Sequence, residues 1–436
     1  MSNKDGLDFK RVLILAGAVI AFTIGSGFAT GQEIIQYYTS YGWMFIGTLI
    51  LFLVAFLYYN LNFAKAGAEQ KFEKANDVYK YYCGKYLGTF LDYYSTIFCY
   101  MSFFVMIGGA ASTLNQGYGL NPLIGGAIMA VLTIITVAAG LDKLVDAIGM
   151  VGPLIVILVI FIAVYTLAND AGMIPQGMQD IANGVFTGAT ETNTIKQAGG
   201  NGLWPANFFT SAWSYAGFVL LWFASFMTAL GAKNGAKNIK WGIIIGAVAV
   251  CVAIFLVALA QAANINTPSA DGTSYVWNAD IPNLILASKI TPVFGAIYAI
   301  VVYAGIYTTA VPLLYNPVSR FAKEGTARFR ILAIVLGVVG YFIAQFLPFR
   351  DLVNIIYGIN GSFAGFVIIF IIVHNIRAKM KKKNGTLDAQ PSDEIEGAKA
   401  DDAAKASEAD SSAEAAAPAV EAEASDSSTP EPNPAG

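Results

Sequence analysis

The residues best suited to chemistry lie in one short, mostly apolar stretch near the amino terminus. The stretch reads Ala21-Phe22-Thr23-Ile24-Gly25-Ser26-Gly27-Phe28-Ala29-Thr30-Gly31-Gln32-Glu33. Backbone groups freed by a helix break at such glycines can hold an anionic group or a cation, as broken membrane helices do. Glu33 adds a carboxylate, which can bind a substrate ammonium, form a gate or carry a proton. The pattern therefore favours a binding site.

The rest of the chain lacks the side chains that enzymes and metal centres use. The 436 residues include one histidine, His374, and three cysteines, Cys83, Cys99 and Cys251. These are too few ligands for a zinc or iron–sulfur site, and they form no disulfide framework. There is also no G-x-S-x-G, P-loop or H-E-x-x-H motif. We expect a protein that is not an enzyme, has no organic cofactor and does not bind nucleic acid.

The composition predicts an integral membrane protein. Apolar residues make up 56% of the chain and charged residues 13%, whereas a soluble domain has about 25% charged residues. A membrane helix needs about 20 apolar residues, and ten stretches satisfy this. They lie near residues 12–39, 43–64, 87–113, 121–140, 144–168, 204–230, 241–264, 292–318, 331–348 and 352–376.

The distribution of basic residues orients these spans. With a cytoplasmic amino terminus, 23 lysines and arginines fall on the inside and three, Lys196, Lys289 and Arg350, fall outside. This is the positive-inside pattern, so we expect a multi-pass protein of the cell (inner) membrane with both termini cytoplasmic. A cleavable signal peptide is the alternative for the first span. A span is favoured because the apolar segment resumes from Phe28 to Tyr38.

Three regions follow from this pattern. Residues 1–11 form a cytoplasmic amino terminus, and residues 12–376 form a ten-helix domain whose halves cover about 12–168 and 204–376. Residues 377–436 begin with a basic run, which we expect to anchor at the anionic inner leaflet of the lipid bilayer. From residue 384 onward the tail holds 13 acids and two lysines in 53 positions. We expect this tail to be disordered.

Two spans are predicted to be broken. In span one, glycines and polar groups in mid-membrane would be costly if they faced lipid, so a break around a cavity is favoured over a Gly27-x-x-x-Gly31 packing face. Inverted repeats place a matching break in span six. There, residues 204–218 are polar and small in the middle. Span eight carries the hydroxyls of Thr308 and Thr309, whose plainer role is to bond back to the preceding turn.

A ten-span chain with these breaks resembles the amino acid–polyamine–organocation superfamily with the LeuT-type fold. The Gly-Ser-Gly-Phe-Ala-Thr-Gly-Gln-Glu stretch is most similar to YkvI-like bacterial membrane proteins. The resemblance covers about residues 10 to 380. It implies an all-α fold of ten transmembrane helices, arranged as a 5+5 inverted repeat with helices one and six broken.

The resemblance also implies a sodium site and a solute pocket. The sodium ligands would be carbonyl and hydroxyl oxygens of Ala21, Ile24, Gly305, Thr308 and Thr309. The solute pocket would be lined by Thr23, Gly25, Ser26, Gly27, Thr210, Ser214 and Tyr215, with Tyr100 of span three reaching the solute carboxylate. Two positions depart from the family's pattern: Phe28 stands where a second sodium would find an amide, and Gly31 stands where relatives carry a gating arginine.

These observations lead to one leading hypothesis and two alternatives. The leading hypothesis is a sodium-coupled secondary transporter of a small zwitterionic or organic-acid solute, such as an amino acid, working by alternating access. The first alternative is proton coupling through Glu33. The second is a membrane sensor that binds the solute without transporting it and signals through the tail. The sequence leaves the solute and the oligomeric state open.

Overall fold

The structure is a computed structural model that describes residues 7–24, 26–140, 145–191, 193–200, 204–234 and 236–383. Within these ranges the chain forms helices and loops and no β-strand. The chain divides into two compact units, Met1–His374 and Asn375–Gly436. The predicted disordered tail, from residue 384 onward, lies outside the described residues.

Ten spans make up most of the described residues. Span one consists of the helices Phe9–Thr23, Ser26–Thr30 and Gln32–Tyr37. Spans two to nine are the helices Phe45–Gln70, Lys85–Tyr118, Pro122–Ala139, Val145–Asp170, Phe208–Asn234, Ala236–Ala263, Pro292–Phe321 and Ala327–Ala344. Span ten runs through Phe349–Leu352, a π-helical turn Val353–Tyr357, Gly358–Ala364 and Phe366–Lys383. Shorter helices between the spans are Thr39–Met44, Asp77–Cys83, Ala171–Met173, Ile174–Asn183 and Pro282–Ile290.

Nine helical segments of the described residues are long and apolar enough to cross a membrane. They correspond to the predicted spans two to ten. Span one is not among them because its longest uninterrupted helix, Phe9–Thr23, has 15 residues, whereas a membrane helix needs about 20. The predicted break in span one is therefore confirmed, and the chain is a multi-pass membrane protein.

The packing of the spans repeats between the two halves of the chain. Span one packs along span seven, and span six packs along span two. Likewise, span three contacts span nine, and span eight contacts span four. If each span of one half is replaced by the corresponding span of the other half, the contact between spans one and seven becomes the contact between spans six and two. In the same way, the contact between spans three and nine becomes the contact between spans eight and four. Because each half has an odd number of spans, the halves have opposite orientations, as the predicted inverted repeat requires.

Span six corrects one expectation from the sequence. It is a single helix from Phe208 to Asn234, so the predicted break is absent from it. Its small residues serve close packing instead, because a Cβ placed on Gly217 would lie 1.9 Å from the carbonyl oxygen of Gly361 in span ten. Ser214, just before this contact, donates a hydrogen bond to the carbonyl oxygen of Gly358. Small residues allow such close approach in membrane helices, which explains their abundance without a break.

Candidate functional site

The first interruption of span one lies between Thr23 and Ser26. Thr23 is the last residue of the inner helix, and its hydroxyl donates to the carbonyl oxygen of Val19 at 2.7 Å. Ile24 leaves the helical conformation with φ −84° and ψ 67°. Gly25 lies outside the described residues, and the helix resumes at Ser26. The chain therefore changes course at the predicted glycines.

A second interruption, which the sequence did not reveal, lies seven residues after Ile24, at Gly31. This glycine has φ +84°, a left-handed conformation that glycine adopts without steric cost. Its carbonyl oxygen accepts a hydrogen bond from Gln261 Nε2 at 3.0 Å. The carbonyl oxygen of Ala29 accepts from Asn283 Nδ2 at 3.1 Å and from the Tyr298 hydroxyl at 2.5 Å. Side chains of other elements thus satisfy the carbonyls that the break frees.

Glu33 is buried beside this broken segment. Its side chain folds back over Gly27, where an added Cβ would lie 1.8 Å from Glu33 Oε1. The Tyr215 hydroxyl of span six donates to Glu33 Oε2 at 3.3 Å. Glu33 is 4% exposed, and among the described residues no basic side chain forms an ion pair with it. Glu33 is therefore enclosed by protein in this structure and not exposed to solvent.

Aromatic rings surround the contact between Glu33 and Tyr215. The rings of Tyr37, Tyr38, Phe52 and Phe218 lie with their centroids 4.8–5.1 Å from that of Tyr215. Tyr37 is one helical turn after Glu33, so both project from the same face of their short helix. The hydroxyls of Tyr37 and Tyr38 are buried and have no hydrogen-bond partner. Through Tyr215 the carboxylate therefore lies beside a cluster of buried aromatic side chains.

The ring cluster continues towards spans three and ten. Phe218 stacks on Tyr357 with a centroid separation of 4.7 Å, and Tyr357 lies edge-on to Trp222 at 5.4 Å. Tyr357 ends the π-helical turn of span ten, and such turns occur frequently at functional sites. Phe98 of span three closes this group from the other side, 5.7 Å from Trp222. Spans three, six and ten thus meet at a single aromatic cluster next to span one.

A loop covers the carboxyl-terminal end of span one, which the charge pattern predicts to be the outer end. The backbone N–H of Ala198 donates to the carbonyl oxygen of Gln36 at 3.0 Å, and Gln197 Nε2 donates to the carbonyl oxygen of Ser40 at 2.8 Å. Asn354 of span ten donates to both Gln36 Oε1 and the Gln197 carbonyl oxygen. Residues 193–200 are therefore tied to spans one and ten above Glu33.

Two other predicted solute-binding residues, Thr210 and Tyr100, make hydrogen bonds away from Glu33. Thr210 stands at the start of span six, where its hydroxyl donates to the carbonyl oxygen of Pro205. The hydroxyl of Tyr100 donates to the carbonyl oxygen of Leu336 in span nine at 2.8 Å, and its contact with the solute stays a prediction. Span three has no break to fix its register, and its inward face carries Phe98 and Ser102 instead. Of the pocket predicted from the resemblance, the structure places Gly27 and Tyr215 directly at Glu33.

The residues of the predicted sodium site are distributed over two spans. Thr308 and Thr309 both donate to the carbonyl oxygen of Gly305, at 2.8 Å and 3.1 Å. Ala21 and Ile24 flank the end of the inner helix of span one, and Ile24 is buried. Gly305 packs against Ile155 of span five, whose Cδ1 would lie 2.1 Å from an added Cβ. The two hydroxyls thus make the bonds to the preceding turn that the sequence allows.

Comparisons with known proteins agree with this architecture. No family model and no curated protein matches the chain. The crystal structure of MhsT in complex with L-phenylalanine matches with a TM-score of 0.53 and 16% identity, over 84% of this chain and 89% of that chain. A mutant of the Eremococcus coleocola manganese transporter reaches a TM-score of 0.37 at 12% identity, over 86% and 72% of the two chains. That second likeness is too weak to support an argument.

The likeness to MhsT shows that the chain has the LeuT-type fold. The fold expected from the resemblance is thereby confirmed. Membership of the YkvI-like group stays a prediction.

Proposed function

We propose that the protein is a secondary active transporter of a small amino-acid-like solute, working by alternating access around the interrupted span one. The observation that carries this proposal is the buried carboxylate of Glu33, which lies beside the break without a cationic partner. An ionisable group inside a membrane protein is costly and marks a solute or ion pathway. A solute or ion that reaches Glu33 changes this charge balance and so favours one conformation over another.

The closed outer side supports alternating access. Residues 193–200 seal the outer end of span one through hydrogen bonds to Gln36 and Ser40. The same segment is also held by Tyr41, Arg350 and Asp351. All of these are polar contacts of a loop, so they can break without disrupting a helix. The fold supports the same conclusion, since MhsT was crystallised in complex with L-phenylalanine. We propose that this loop separates from span one when the site opens outward.

We further propose sodium as the coupling ion, bound by oxygens of Ala21, Ile24, Gly305, Thr308 and Thr309. Oxygen ligands suit a hard cation. Each threonine hydroxyl donates its proton to Gly305 and keeps lone pairs that can face an ion. Sodium held between spans one and eight would stabilise one arrangement of the two spans and so link ion binding to solute binding.

Proton coupling through Glu33 is the second candidate. The burial of Glu33 among aromatic rings favours it, because a carboxylate without a cation partner in such surroundings is more stable when it binds a proton. Protonation would neutralise the group, and solute release on the other side of the membrane would follow its deprotonation. The two candidates differ in the gradient that drives uptake.

Reconstitution into proteoliposomes tests the proposal. Uptake of a mixture of radiolabelled L-amino acids is measured with an inward sodium gradient, with an inward proton gradient and with neither. The sodium hypothesis expects uptake driven by sodium and lost in Thr308→Ala/Thr309→Ala. Thr89→Ala is the matched control, because the Thr89 hydroxyl makes the same kind of bond to the preceding turn at an exposed position.

The proton candidate gives the opposite pattern. Uptake then follows the proton gradient without sodium and is lost in Glu33→Gln, while Glu69→Gln, on the exposed cytoplasmic end of span two, is unaffected. Uptake that needs neither gradient, or an absence of any uptake of these or other small solutes, would contradict secondary active transport.

A further inference from the structure

The beginnings of spans one and seven, which the charge pattern predicts to be cytoplasmic, are joined by polar contacts. The backbone N–H of Asp8 donates to Asn238 Oδ1 at 3.0 Å. Arg11 donates from Nε and Nη2 to Asn234 Oδ1, at 3.1 Å and 3.0 Å. These hydrogen bonds hold the beginning of span one against the turn between spans six and seven.

The two spans continue side by side from this point. A Cβ placed on Gly242 of span seven would lie 2.6 Å from the Cβ of Leu15, and one placed on Gly246 would lie 2.7 Å from the Cβ of Val19. The two contacts are four residues apart in both helices, about one turn, so the helices run parallel here. Counting back five residues from the first contact places residue 10 level with residue 237.

Five exposed basic residues surround these contacts, and we call them the basic patch. Each is a neighbour in sequence, or at most two residues away, of a residue that joins the two spans. They are Lys10, Arg11, Lys233, Lys237 and Lys240. The one acid in residues 7–24 and 230–246 is Asp8, whose carboxylate accepts from the backbone N–H of Arg11. The patch therefore carries a clear excess of positive charge.

Other basic residues on the predicted cytoplasmic side have acidic partners. Three ion pairs show this: Lys65–Glu69, Lys80–Asp77 and Arg320–Asp92. In the part of the chain that the structure describes, no ion pair includes a member of the basic patch. Its charge is therefore available to an anion from outside the protein.

Exposed rings indicate where the membrane surface crosses the basic patch. Trp241 follows Lys240 and is 46% exposed, and Phe9 precedes Lys10 and is 66% exposed. Tryptophan is enriched where the hydrocarbon meets the lipid headgroups. Directly after the patch, Leu13 is an exposed apolar side chain suited to lipid. The basic patch thus lies at the height of the headgroups.

We propose that the basic patch binds the headgroup of an anionic phospholipid from the inner leaflet. The lipid phosphate accepts hydrogen bonds from the ammonium groups of spans one and seven, and its acyl chains continue into the bilayer. Such a headgroup bridges the two spans and holds the helix Phe9–Thr23 in place. The site is distinct from the basic run that begins at residue 377 and does not depend on the transport function.

Thermal unfolding of the full-length protein in a nonionic detergent tests the site. Dioleoyl phosphatidylglycerol is titrated as the anionic lipid and dioleoyl phosphatidylcholine as the zwitterionic one, because a ligand that binds the folded state raises the unfolding temperature. Inorganic phosphate is titrated separately to distinguish a lipid from a free anion. The variant is Lys237→Gln/Lys240→Gln. Its matched control, Lys71→Gln/Lys74→Gln, removes the same charge from two exposed lysines that are also three residues apart.

Phosphatidylglycerol should stabilise the protein at lower concentrations than phosphatidylcholine, and inorganic phosphate should have no effect. Each lysine near an anionic lipid surface contributes several-fold to affinity, so Lys237→Gln/Lys240→Gln should weaken phosphatidylglycerol binding about 30-fold. The control should bind as the unmodified protein does. Equal stabilisation by the two lipids, equal losses in the two variants, or stabilisation by phosphate alone would overturn the proposal.

Fluorescence quenching locates the lipid independently. Phosphatidylglycerol that is brominated near the headgroup end of its acyl chains quenches a tryptophan that it contacts. In phosphatidylcholine vesicles, it should quench the unmodified protein more than equally brominated phosphatidylcholine does. This excess should disappear in Trp241→Phe. An excess that persists in Trp241→Phe would place the lipid elsewhere and contradict the proposal.

Discussion

The protein buries the carboxylate of Glu33, although burial of an ionised group is energetically unfavourable. The group is 4% exposed and contacts a glycine backbone, one tyrosine hydroxyl and aromatic rings. Burial of an ionised group without a partner is costly, and functional sites often retain such residues at the expense of stability. Glu33 therefore marks a place where stability is exchanged for binding.

We predict that Glu33→Gln stabilises the ligand-free protein while it removes function. Glutamine has nearly the same shape but carries no charge, so the unfolding temperature should rise by about 2–4 °C. Scanning fluorimetry in detergent at alkaline pH, where the carboxylate of the unmodified protein is ionised, measures the shift. Glu69→Gln should leave the temperature unchanged, since Glu69 is exposed. A lower unfolding temperature for Glu33→Gln would show that the carboxylate is instead a structural contact.

Two tyrosines separate the surroundings of Glu33 from the span-three position expected by analogy. Tyr215→Phe removes the hydroxyl that donates to Glu33 and should change amino-acid binding about tenfold. Tyr100→Phe removes only the bond to Leu336 and should leave binding unchanged. Titration of the thermal shift with amino acid gives both affinities. The account fails at this point if Tyr100→Phe has the larger effect.

The sequence revealed some site residues because they are unusual where they stand. Glu33 and the glycines before it are polar or flexible residues in a membrane span. Because such residues are energetically costly there, the sequence alone indicated that they have a functional role. Phe218, Trp222 and Tyr357 are ordinary residues of membrane helices. Their place in one aromatic cluster depends on contacts between distant spans, which no local pattern encodes.

At the scale of elements, the second interruption of span one is held by side chains from three other segments. We predict that Gly31→Ala destabilises the protein strongly, since its Cβ would lie 2.4 Å from Asn283 Oδ1 and 2.7 Å from Gln261 Nε2 at φ +84°. Gly119→Ala is the control, because Gly119 has φ +67° with nothing within 4 Å. It isolates the cost of the left-handed conformation, about 1–2 kcal/mol.

Unfolding temperatures of the purified variants measure the difference. Gly31→Ala should lose more stability than Gly119→Ala, because it also breaks the hydrogen bonds to Gln261 and Asn283. Equal losses would mean that these side chains do not fix the break.

The number of spans and the break in span one were predictable because length, apolarity and glycine content determine them locally. The continuity of span six was not predictable, because the same small residues are compatible with either a break or close packing. In the structure Gly217 packs on Gly361, so a continuous helix satisfies every backbone group and a break would leave them unpaired. Only the packing partner distinguishes the two outcomes.

For the whole molecule, the distribution of charge predicts the orientation in the membrane. The 23 to three division of basic residues places residue 140 inside and residue 190 outside. A green fluorescent protein fused after residue 140 should fluoresce, and alkaline phosphatase fused after residue 190 should be active in a bacterial host. The converse fusions should be inactive. A reversed pattern would contradict the proposed orientation.

The inverted repeat gives the molecule two similar halves, but the interruptions at Ile24 and Gly31 and the buried carboxylate of Glu33 lie in the first half. Span six supplies Tyr215, Phe218 and Trp222 from an unbroken helix. The site is therefore asymmetric within a symmetric framework: span one provides charge and flexibility, and span six provides a rigid aromatic wall. On this account, opening and closing depend mainly on span one and on the loop above it.

Solute counterflow in proteoliposomes is the most direct test that Glu33 lies at the transport site. Vesicles are loaded with unlabelled L-amino acids and diluted into a trace of labelled ones, with sodium and pH equal on both sides, so that exchange needs no ion gradient. We predict transient accumulation of label with the unmodified protein and with Glu69→Gln, and none with Glu33→Gln. Equal accumulation with Glu33→Gln, or none with the unmodified protein, would contradict the account.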